Sequence, residues 1–319
     1  MTPLHVVLGA HGNAGQALVR ALRTRGERVR GVSRHDEPDP PEGVEWIVAD
    51  LMNPADQRRI FDGSGVVYLA AQPLYTRWSE EFLPLVERVL AGTQACGARL
   101  VHVDNAYMYG QVAGELSETL PPRPASAKGR IRAQVADRLL SAHAAGQTQV
   151  AIGRASDFFG PRVGGSVVGD ALFSDVLGGR TPRWLGSLDV PHTLSYIEDV
   201  ARALVTLGTD ERSWGEVWHL PAAPAITGRE FLRLACLAAN RPVAAGAHSR
   251  LAMTVAGWFS AIVREVSREL YQWERPWILN ADKFQRVFGP FAPTPIELAI
   301  EQTVAWYRDA WDDQVTANV

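Results

Sequence analysis

A glycine-rich segment near the start of the chain has the residue types and the spacing that bind a pyrophosphate. It follows a short apolar run and precedes a segment with helical apolar spacing. Glycines between a strand and a helix let the backbone approach a phosphate, and the N-terminus of the helix points at the anion. We therefore predict a dinucleotide site whose first contacts come from Gly9, His11, Gly12, Asn13, Ala14 and Gly15.

The residues after the second apolar run bear on which nicotinamide dinucleotide binds. An acidic side chain there would accept hydrogen bonds from the ribose 2′-hydroxyl of NAD. This chain has Ser33 and Arg34 instead, and a hydroxyl beside a guanidinium suits the 2′-phosphate of NADP. We expect NADP rather than NAD. The alternative is that Arg34 is a solvated loop charge and that Asp36 binds the ribose.

Residues after the third and fourth apolar runs complete the predicted cofactor site. Asp50 and Leu51 can clamp an adenine ring, and the small residues Ala70 and Ala71, with Gln72, leave room for the nucleotide. Ligands of parallel sheets bind at the carboxyl ends of the strands, which is where all these residues stand.

The elements that must position these residues alternate between strand and helix in the first half of the chain. Nearly continuous apolar runs are typical of strands whose two faces are both covered by helices. The pattern predicts an α/β fold with a doubly wound parallel sheet, the Rossmann architecture. Strands are expected at 4–8, 28–33, 44–48, 65–69, 99–103, 149–153 and 216–220. Helices are expected at 14–25, 54–61, 80–96, 127–145, 197–207, 228–239, 251–263 and 295–309.

A change of composition near Arg162 indicates a second part of the chain, where glycine and proline residues interrupt the pattern. We expect a dinucleotide-binding domain over 1–165, and we expect the later segment 195–220 to be part of the same domain. A smaller, mostly helical substrate-binding lobe is expected over 166–194 and 221–319. Clefts between lobes are where small-molecule sites usually lie.

The composition excludes several classes of function. The chain has 319 residues, a formal net charge of −3 and two cysteines. This charge gives no reason to expect binding to nucleic acid or to an anionic membrane, and two cysteines are too few for a disulfide framework. We expect a cytoplasmic protein without a signal peptide, membrane span or metal site, whose partner is a small-molecule substrate. The ten tryptophans fall mostly after Val150, which indicates an aromatic-lined pocket or a packed core.

Segments beyond the glycine turn carry a resemblance that covers nearly the whole chain. They are 101–110, which contains Tyr-Met-Tyr-Gly, 153–161, which ends in Gly-Pro, 194–202, which contains Asp-Val-Ala, and the tail over 293–307. With the glycine turn and Asp50-Leu51, they resemble the short-chain dehydrogenase/reductase superfamily in its extended form, the epimerase/dehydratase type. The resemblance implies a nicotinamide-dependent enzyme, a cofactor contact at Ala155, and a homodimer formed through the helices at 80–96 and 127–145.

The catalytic positions implied by this resemblance depart from the family's pattern. Asn105 stands where the family has Ser or Thr, and Lys128 and Arg132 stand where it has Tyr and Lys. This pattern is similar to that of the atypical branch of the superfamily, whose members often lack the usual catalytic residues. Lys128 could contact the cofactor and serve as proton donor, oxyanion partner or base. The charge of Arg132, one helical turn on, would lower the pKa of Lys128. The alternative is that both residues lie on a solvated basic face.

Other candidate residues complete the predicted site. Tyr107 can supply the missing acid. Asp157 stands where the family usually has a substrate-facing asparagine, and it either accepts a hydrogen bond from substrate or pairs with Arg154. Tyr109 could be positional only. The predicted substrate contacts are Tyr109, Asp157, Trp184, His192 and Thr193.

Three functions remain open from the sequence. The first is an NADP-dependent oxidoreductase or epimerase/dehydratase-like enzyme that acts on a small carbonyl or hydroxyl metabolite. The second keeps the nucleotide site but performs non-redox dehydration, isomerisation or cyclisation, with Lys128 and Asp157 as acid and base. The third is an NADP(H)-sensing regulatory protein. The missing catalytic tyrosine favours the second and third, and the predicted substrate lobe weighs against the third.

Overall fold

The computed structural model describes residues 2–37, 40–248 and 250–317. Its strands are β1 Leu4–Leu8, β2 Arg28–Ser33, β3 Val44–Val48, β4 Ser64–Leu69, β5 Arg99–Asn105, β6 Val150–Ala155, β7 Asp157–Phe159, β8 Arg183–Leu185, β9 Pro191–His192, β10 Leu194–Tyr196, β11 Val217–His219, β12 Ile226–Thr227 and β13 Gly246–His248. Its helices are α1 Asn13–Thr24, α2 Gln57–Phe61, α3 Trp78–Cys96, α4 Ala127–Ala144, α5 Asp170–Leu177, α6 Ile197–Thr209, α7 Gly228–Ala238, α8 Arg250–Phe259, α9 Ala261–Arg268, α10 Asp282–Phe288 and α11 Ile296–Ala317.

A seven-stranded sheet, in the order β11-β6-β5-β4-β1-β2-β3, lies at the centre of the described chain. All of its strand pairs are parallel. The chain runs outward from β1 in one direction through β2 and β3, and in the other through β4, β5 and β6. This reversal beside β1 is the topological switch point where doubly wound sheets bind ligands. The predicted α/β sheet is confirmed.

Helices cover both faces of this sheet, as the apolar strand runs predict. Buried residues of α3 and α4, such as Val86 and Leu139, pack against one face. Buried residues of α1 and α6, such as Leu18 and Leu204, pack against the other. Because both faces are covered, every residue of β1 is buried, including the polar His5.

A third apolar cluster lies outside the sheet and joins α5, α7 and α11. Its centre is aromatic: Phe231 packs edge-on against Phe159, with ring centroids 5.4 Å apart, and Trp184 lies 5.7 Å from Phe231. Many of the late tryptophans and other aromatic residues are therefore core residues. The division into two lobes at the predicted boundaries stays a prediction.

Two elements differ from their predicted bounds for identifiable reasons. The helix expected over 251–263 is interrupted at Ser260, whose hydroxyl caps the next helix by accepting from the Val263 amide at 3.4 Å. The strand expected to end at Val103 continues to Asn105, because Asp104 and Asn105 pair with Arg154 and Ala155 of β6. This extension places Asp104 beside Arg154. Helices α5 and α10 were not expected; at eight and seven residues they are too short for a clear period.

Gly15 offers a test of how the glycine turn is packed. A Cβ at this position would lie 2.1 Å from the Gly9 carbonyl oxygen and 2.8 Å from the Ala10 Cα. We expect Gly15→Ala to lower the free energy of unfolding by about 2 kcal/mol, because α1 must move away from β1. Urea denaturation measures this change. Thr24→Ala, at the exposed end of the same helix, should stay within about 0.5 kcal/mol of the original protein; equal effects would contradict the packing argument.

Candidate active site

A cavity of about 1170 Å³ lies at the carboxyl ends of the central strands. It begins at the turn between β1 and α1 and passes the ends of β2 to β6. At its other end it reaches α9 and the turn Leu270–Trp273. The predicted cofactor residues that line this cavity are Gly9, His11, Gly12, Asn13, Ala14, Ser33, Arg34, Asp50, Leu51, Ala70, Ala71, Gln72 and Ala155.

The glycine turn has the shape that a dinucleotide pyrophosphate requires. Gly9 has φ +81°, and a Cβ there would lie 2.7 Å from the backbone of Ala71. Gly12 is the N-cap of α1 and offers no side chain to its first amides. Those amides and the helix dipole therefore remain available to an anion. Gly15 is not among the lining residues. It lies beneath the turn, where the missing Cβ lets α1 approach β1.

The end of β2 presents a guanidinium to the cavity. Arg34 is exposed and lines the cavity, and Ser33 beside it accepts a hydrogen bond from the His35 amide at 3.1 Å. Asp36, the alternative ribose partner, is not among the lining residues and accepts instead from the Glu37 amide at 3.0 Å. Of the two predicted ribose partners, Arg34 therefore lines the cavity and Asp36 does not.

Lys128 lies outside the cavity, although the sequence made it the leading catalytic candidate. Its ammonium donates to the Tyr75 carbonyl oxygen and lies 3.8 Å from a Glu265 carboxylate oxygen. It also lies 4.5 Å from the centre of the Tyr75 ring and 5.2 Å from that of Trp78. These contacts make Lys128 a residue that holds the segment after β4 against α4 and α9.

The pKa of Lys128 is lowered for a different reason than the sequence suggested. Burial lowers it, and Glu265 and Glu269 oppose the shift. The positive charge that lowers this pKa together with burial is that of Arg268, not the expected charge of Arg132.

Arg132 belongs to a buried cluster around Asp104, in the wall of the cavity. The Asp104 carboxylate accepts from Arg132 Nη1 at 3.3 Å and from Arg154 Nε at 2.9 Å. Burial alone would raise the pKa of Asp104, but Arg154 and Arg132 hold it below the usual value. Arg132 also donates to Gln72 Oε1 at 2.7 Å and lies over Trp78, 4.3 Å from the ring centre.

Tyr109 is fixed on the far side of this cluster rather than in the cavity. Its hydroxyl accepts from Arg154 Nη1 at 2.9 Å and lies 2.6 Å from His219 Nε2. The other ring nitrogen of His219 lies 2.9 Å from the Asn280 carbonyl oxygen, and burial lowers the pKa of this histidine to about 3. A neutral His219 therefore donates to Asn280 and accepts from Tyr109, which assigns Tyr109 a positional role.

Asp157 lines the cavity and is paired with His192, not with Arg154. His192 Nε2 lies 2.9 Å from the Asp157 carboxylate, and its ring stacks on Trp273 with centroids 4.1 Å apart. His192 is only 1% exposed and lies behind the cavity wall. The imidazole thus holds the Asp157 carboxylate in place, and a carboxylate can accept a hydrogen bond from a ligand in the cavity.

Two more predicted substrate contacts lie behind the cavity wall. Thr193 accepts from the Leu279 amide at 3.0 Å, and Trp184 packs 5.1 Å from Trp273 within the third apolar cluster. Both side chains support the wall and do not line the cavity.

Asn105 and Tyr107 both line the cavity, as predicted for catalytic residues. Asn105 accepts from the Tyr107 amide at 3.2 Å, which fixes the turn after β5. Burial raises the pKa of Tyr107 well above its usual value, and Tyr75 and Asp157 raise it further. The Tyr107 phenol is therefore protonated at neutral pH and can donate a proton to a bound oxygen.

With this geometry described, the sequence can be compared with known proteins. Residues 5–219 match the NAD dependent epimerase/dehydratase family. The chain belongs to this family. The resemblance inferred from the sequence is thereby confirmed. No protein of curated function matches the sequence.

Several solved structures of epimerases and dehydratases share the fold. UDP-glucuronic acid 4-epimerase from Bacillus cereus, solved with UDP-glucuronic acid and NAD, is 18% identical, with a TM-score of 0.77 over 96% of this chain and 99% of that one. Epimerase Mth375 from Methanothermobacter thermautotrophicus is 16% identical, with a TM-score of 0.80 over 98% and 94%. dTDP-glucose 4,6-dehydratase from Bacillus anthracis, solved with NAD, is 15% identical, with a TM-score of 0.77 over 97% of each chain.

The cavity wall also includes an acidic side chain, Glu269, that the sequence analysis did not identify as a candidate. Glu269 lines the cavity and is only 3% exposed. One of its carboxylate oxygens accepts from Gln272 Nε2 at 3.4 Å, and the other has no hydrogen-bond partner among the described residues. Burial raises the pKa of Glu269, and nearby hydroxyl and amide groups oppose this shift only in part. No sequence pattern marks this glutamate, which follows α9 directly.

No described helix is long and apolar enough to cross a membrane. No group of three or more His, Cys, Asp or Glu residues in the described ranges could hold a metal ion.

The Asp104 cluster offers a test of what holds the cavity wall. Asp104→Asn removes the countercharge of two buried arginines, and we expect the free energy of unfolding to fall by about 3 kcal/mol or more. Urea denaturation at neutral pH measures the loss. Glu87 forms an exposed pair with Arg138, and Glu87→Gln should change stability by less than about 1 kcal/mol. A loss of similar size for both variants would contradict the assigned importance of Asp104.

Proposed function

We propose that the protein is a nicotinamide-dinucleotide-dependent enzyme of the epimerase/dehydratase type that reduces a carbonyl group beside Asn105 and Tyr107. The observation that carries this proposal is the continuity of one cavity. The same cavity is lined by the glycine turn at Gly9 and, further along, by the proton-bearing groups Tyr107 and Asp157. A site for a hydride carrier and a site for proton transfer therefore adjoin.

The chain's own residues favour NADP as the cofactor. The solved complexes named above contain NAD, whereas Arg34 lines the cavity at the end of β2 in this chain. A guanidinium next to the Ser33 hydroxyl can form charge-assisted hydrogen bonds with a 2′-phosphate. Bound NADPH would supply the hydride of the proposed reduction.

The residues beside the proposed hydride site can supply the proton that a reduction needs. Burial keeps the Tyr107 phenol protonated at neutral pH by raising its pKa. The phenol can donate its proton to a carbonyl oxygen, and Asn105 can hydrogen-bond the same oxygen. Asp157, backed by His192, can accept or return a proton at a second position of the substrate.

Arg132 has a positioning role in this scheme. Its guanidinium is fixed between Asp104 and the ring of Trp78, and it holds Gln72, which lines the cavity. Arginine does not release a proton at neutral pH, so this residue replaces the charge of the family's lysine without replacing its proton relay.

A pair of variants separates the phenol from the lysine as the proton donor. We expect Tyr107→Phe to lower kcat roughly a hundredfold or more, because the variant loses the proposed proton donor beside Asn105. Lys128→Met should leave kcat within a few fold, because its ammonium lies outside the cavity. The assay follows the absorbance of NADPH with a panel of aryl ketones and aldehydes, and fluorescence checks that each variant binds NADPH. Loss of turnover in the lysine variant alone would contradict this assignment.

A second pair of variants tests the cofactor preference. We expect Arg34→Ala to weaken NADPH binding roughly tenfold or more, since charge-assisted hydrogen bonds to the 2′-phosphate are lost. Binding of NADH should stay within about twofold, because NADH lacks that phosphate. Titrations followed by nicotinamide fluorescence give both dissociation constants. Arg28→Ala, at the opposite end of the same strand, is the control and should change neither. Equal loss of both nucleotides in Arg34→Ala would contradict the proposed contact.

A further inference from the structure

The charged side chains of the cavity wall beyond the predicted cofactor residues are mostly paired. Arg77 bonds to Glu81 at 2.7 Å, and Arg132 bonds to Asp104. The two arginines of this part of the described wall therefore already have carboxylate partners. A ligand that brings a pyrophosphate would find no guanidinium here without an acidic partner.

Glu269 is the exception in this part of the wall. It is 3% exposed, one of its carboxylate oxygens accepts from the neutral Gln272 amide at 3.4 Å, and the other has no hydrogen-bond partner among the described residues. The ammonium of Lys128 acts on Glu269 only from a distance: it is directed to the Tyr75 carbonyl oxygen and to Glu265, and no ion pair within 4.0 Å joins it to Glu269 in the described structure. A buried carboxylate with no ion-pair partner in contact is destabilising unless it is protonated or a ligand supplies the charge.

Aromatic side chains surround the same end of the cavity. Tyr75, Tyr107, Trp273 and Trp277 line it together with Glu269. The negative charge of Glu269 contributes to the raised pKa of Tyr75 and of Tyr107, which places these phenols close to the carboxylate. Faces of Trp and Tyr attract organic cations, and most strongly where water is excluded.

Lys128 shows that one of these rings already attracts a cation. Its ammonium lies 4.5 Å from the centre of the Tyr75 ring, but outside the cavity. The indole Nε1 of Trp277 is buried and has no hydrogen-bond partner in the described part of the chain. This N–H is a donor that could be satisfied by an acceptor group of a ligand, whereas Glu269 calls for a donor or a positive charge.

We infer that the substrate carries a cationic nitrogen, in the form of a protonated amine attached to an aromatic or alkyl group, which Glu269 binds within this aromatic wall. The inference rests on the proposed function, because it names the class of substrate for the same cavity. The carbonyl to be reduced lies toward Tyr107, and the ammonium lies toward Glu269. A nucleotide-sugar pyrophosphate would instead bring negative charge to an uncompensated carboxylate.

Three probes of one shape and different charge test this inference on the full-length protein. The protein, saturated with NADPH, is titrated with 2-phenylethylamine, with neutral 2-phenylethanol and with anionic 3-phenylpropanoate, and calorimetry gives each affinity. We expect the ammonium to bind roughly tenfold tighter than the alcohol, and the carboxylate to bind weakest. This comparison needs no variant. An ammonium that binds no tighter than the alcohol would overturn the inference.

Variants of two neighbouring glutamates test which carboxylate binds the ammonium. We expect Glu269→Gln to remove the tenfold advantage of the ammonium and to leave binding of the alcohol unchanged. Glu265→Gln, four residues earlier and outside the cavity, should keep that advantage. Retention of the preference in Glu269→Gln, or its loss in Glu265→Gln alone, would place the cation elsewhere and overturn the inference.

A separate titration with NADPH distinguishes this inference from the proposed function. If NADPH binds and carbonyl compounds are reduced, but the three probes bind equally, only the cationic substrate is wrong. If NADPH does not bind, the proposed function is wrong. The affinities of the three probes are then compared on the protein without nucleotide, which tests the preference for the ammonium by itself.

Discussion

The buried carboxylate of Asp104 is the interaction on which the geometry of the candidate active site depends. It joins Arg132 of α4 to Arg154 of β6 from its place on β5, so three elements are held by one charge. The extended pairing of β5 with β6 brings Asp104 next to Arg154, and the same extension carries the chain to Asn105 at the end of the strand. Removing one partner from so deeply buried a charge cluster would leave an uncompensated charge, which is strongly destabilising.

This cluster keeps the cavity wall ordered where the sequence resemblance implies that the family's tyrosine and lysine are replaced. Arg132, which the resemblance matches to the lysine, has its charge neutralised by Asp104 and its face covered by Trp78 and Phe82. Lys128, which the resemblance matches to the tyrosine, has an ammonium that bonds away from the cavity. In the proposed reaction proton transfer comes from other groups, and Tyr75, Tyr107, Asp157 and Glu269 are among those in the described wall.

The fold was largely predictable from the sequence, whereas the site was predictable only in part. Strand Leu4–Leu8 has its predicted bounds, because burial on both faces leaves a local apolar run. The edge strand Val44–Val48 also has its predicted bounds, although it is only partly buried. The direction of the Lys128 side chain was not predictable, since it depends on Tyr75 and Glu265, which are distant in sequence. Glu269 was missed for the same reason: only the tertiary fold brings it to the cavity and makes its burial unusual.

A crystal structure of the protein with NADPH tests the central claim most directly, because it shows which side chains face the reacting carbon of the nicotinamide. The account predicts the nicotinamide beside Tyr107 and Asn105, the 2′-phosphate on Arg34, and Lys128 still bonded to the Tyr75 carbonyl oxygen. A nicotinamide that faces a reoriented Lys128, or a cavity that does not bind the nucleotide at saturating concentration, would contradict it.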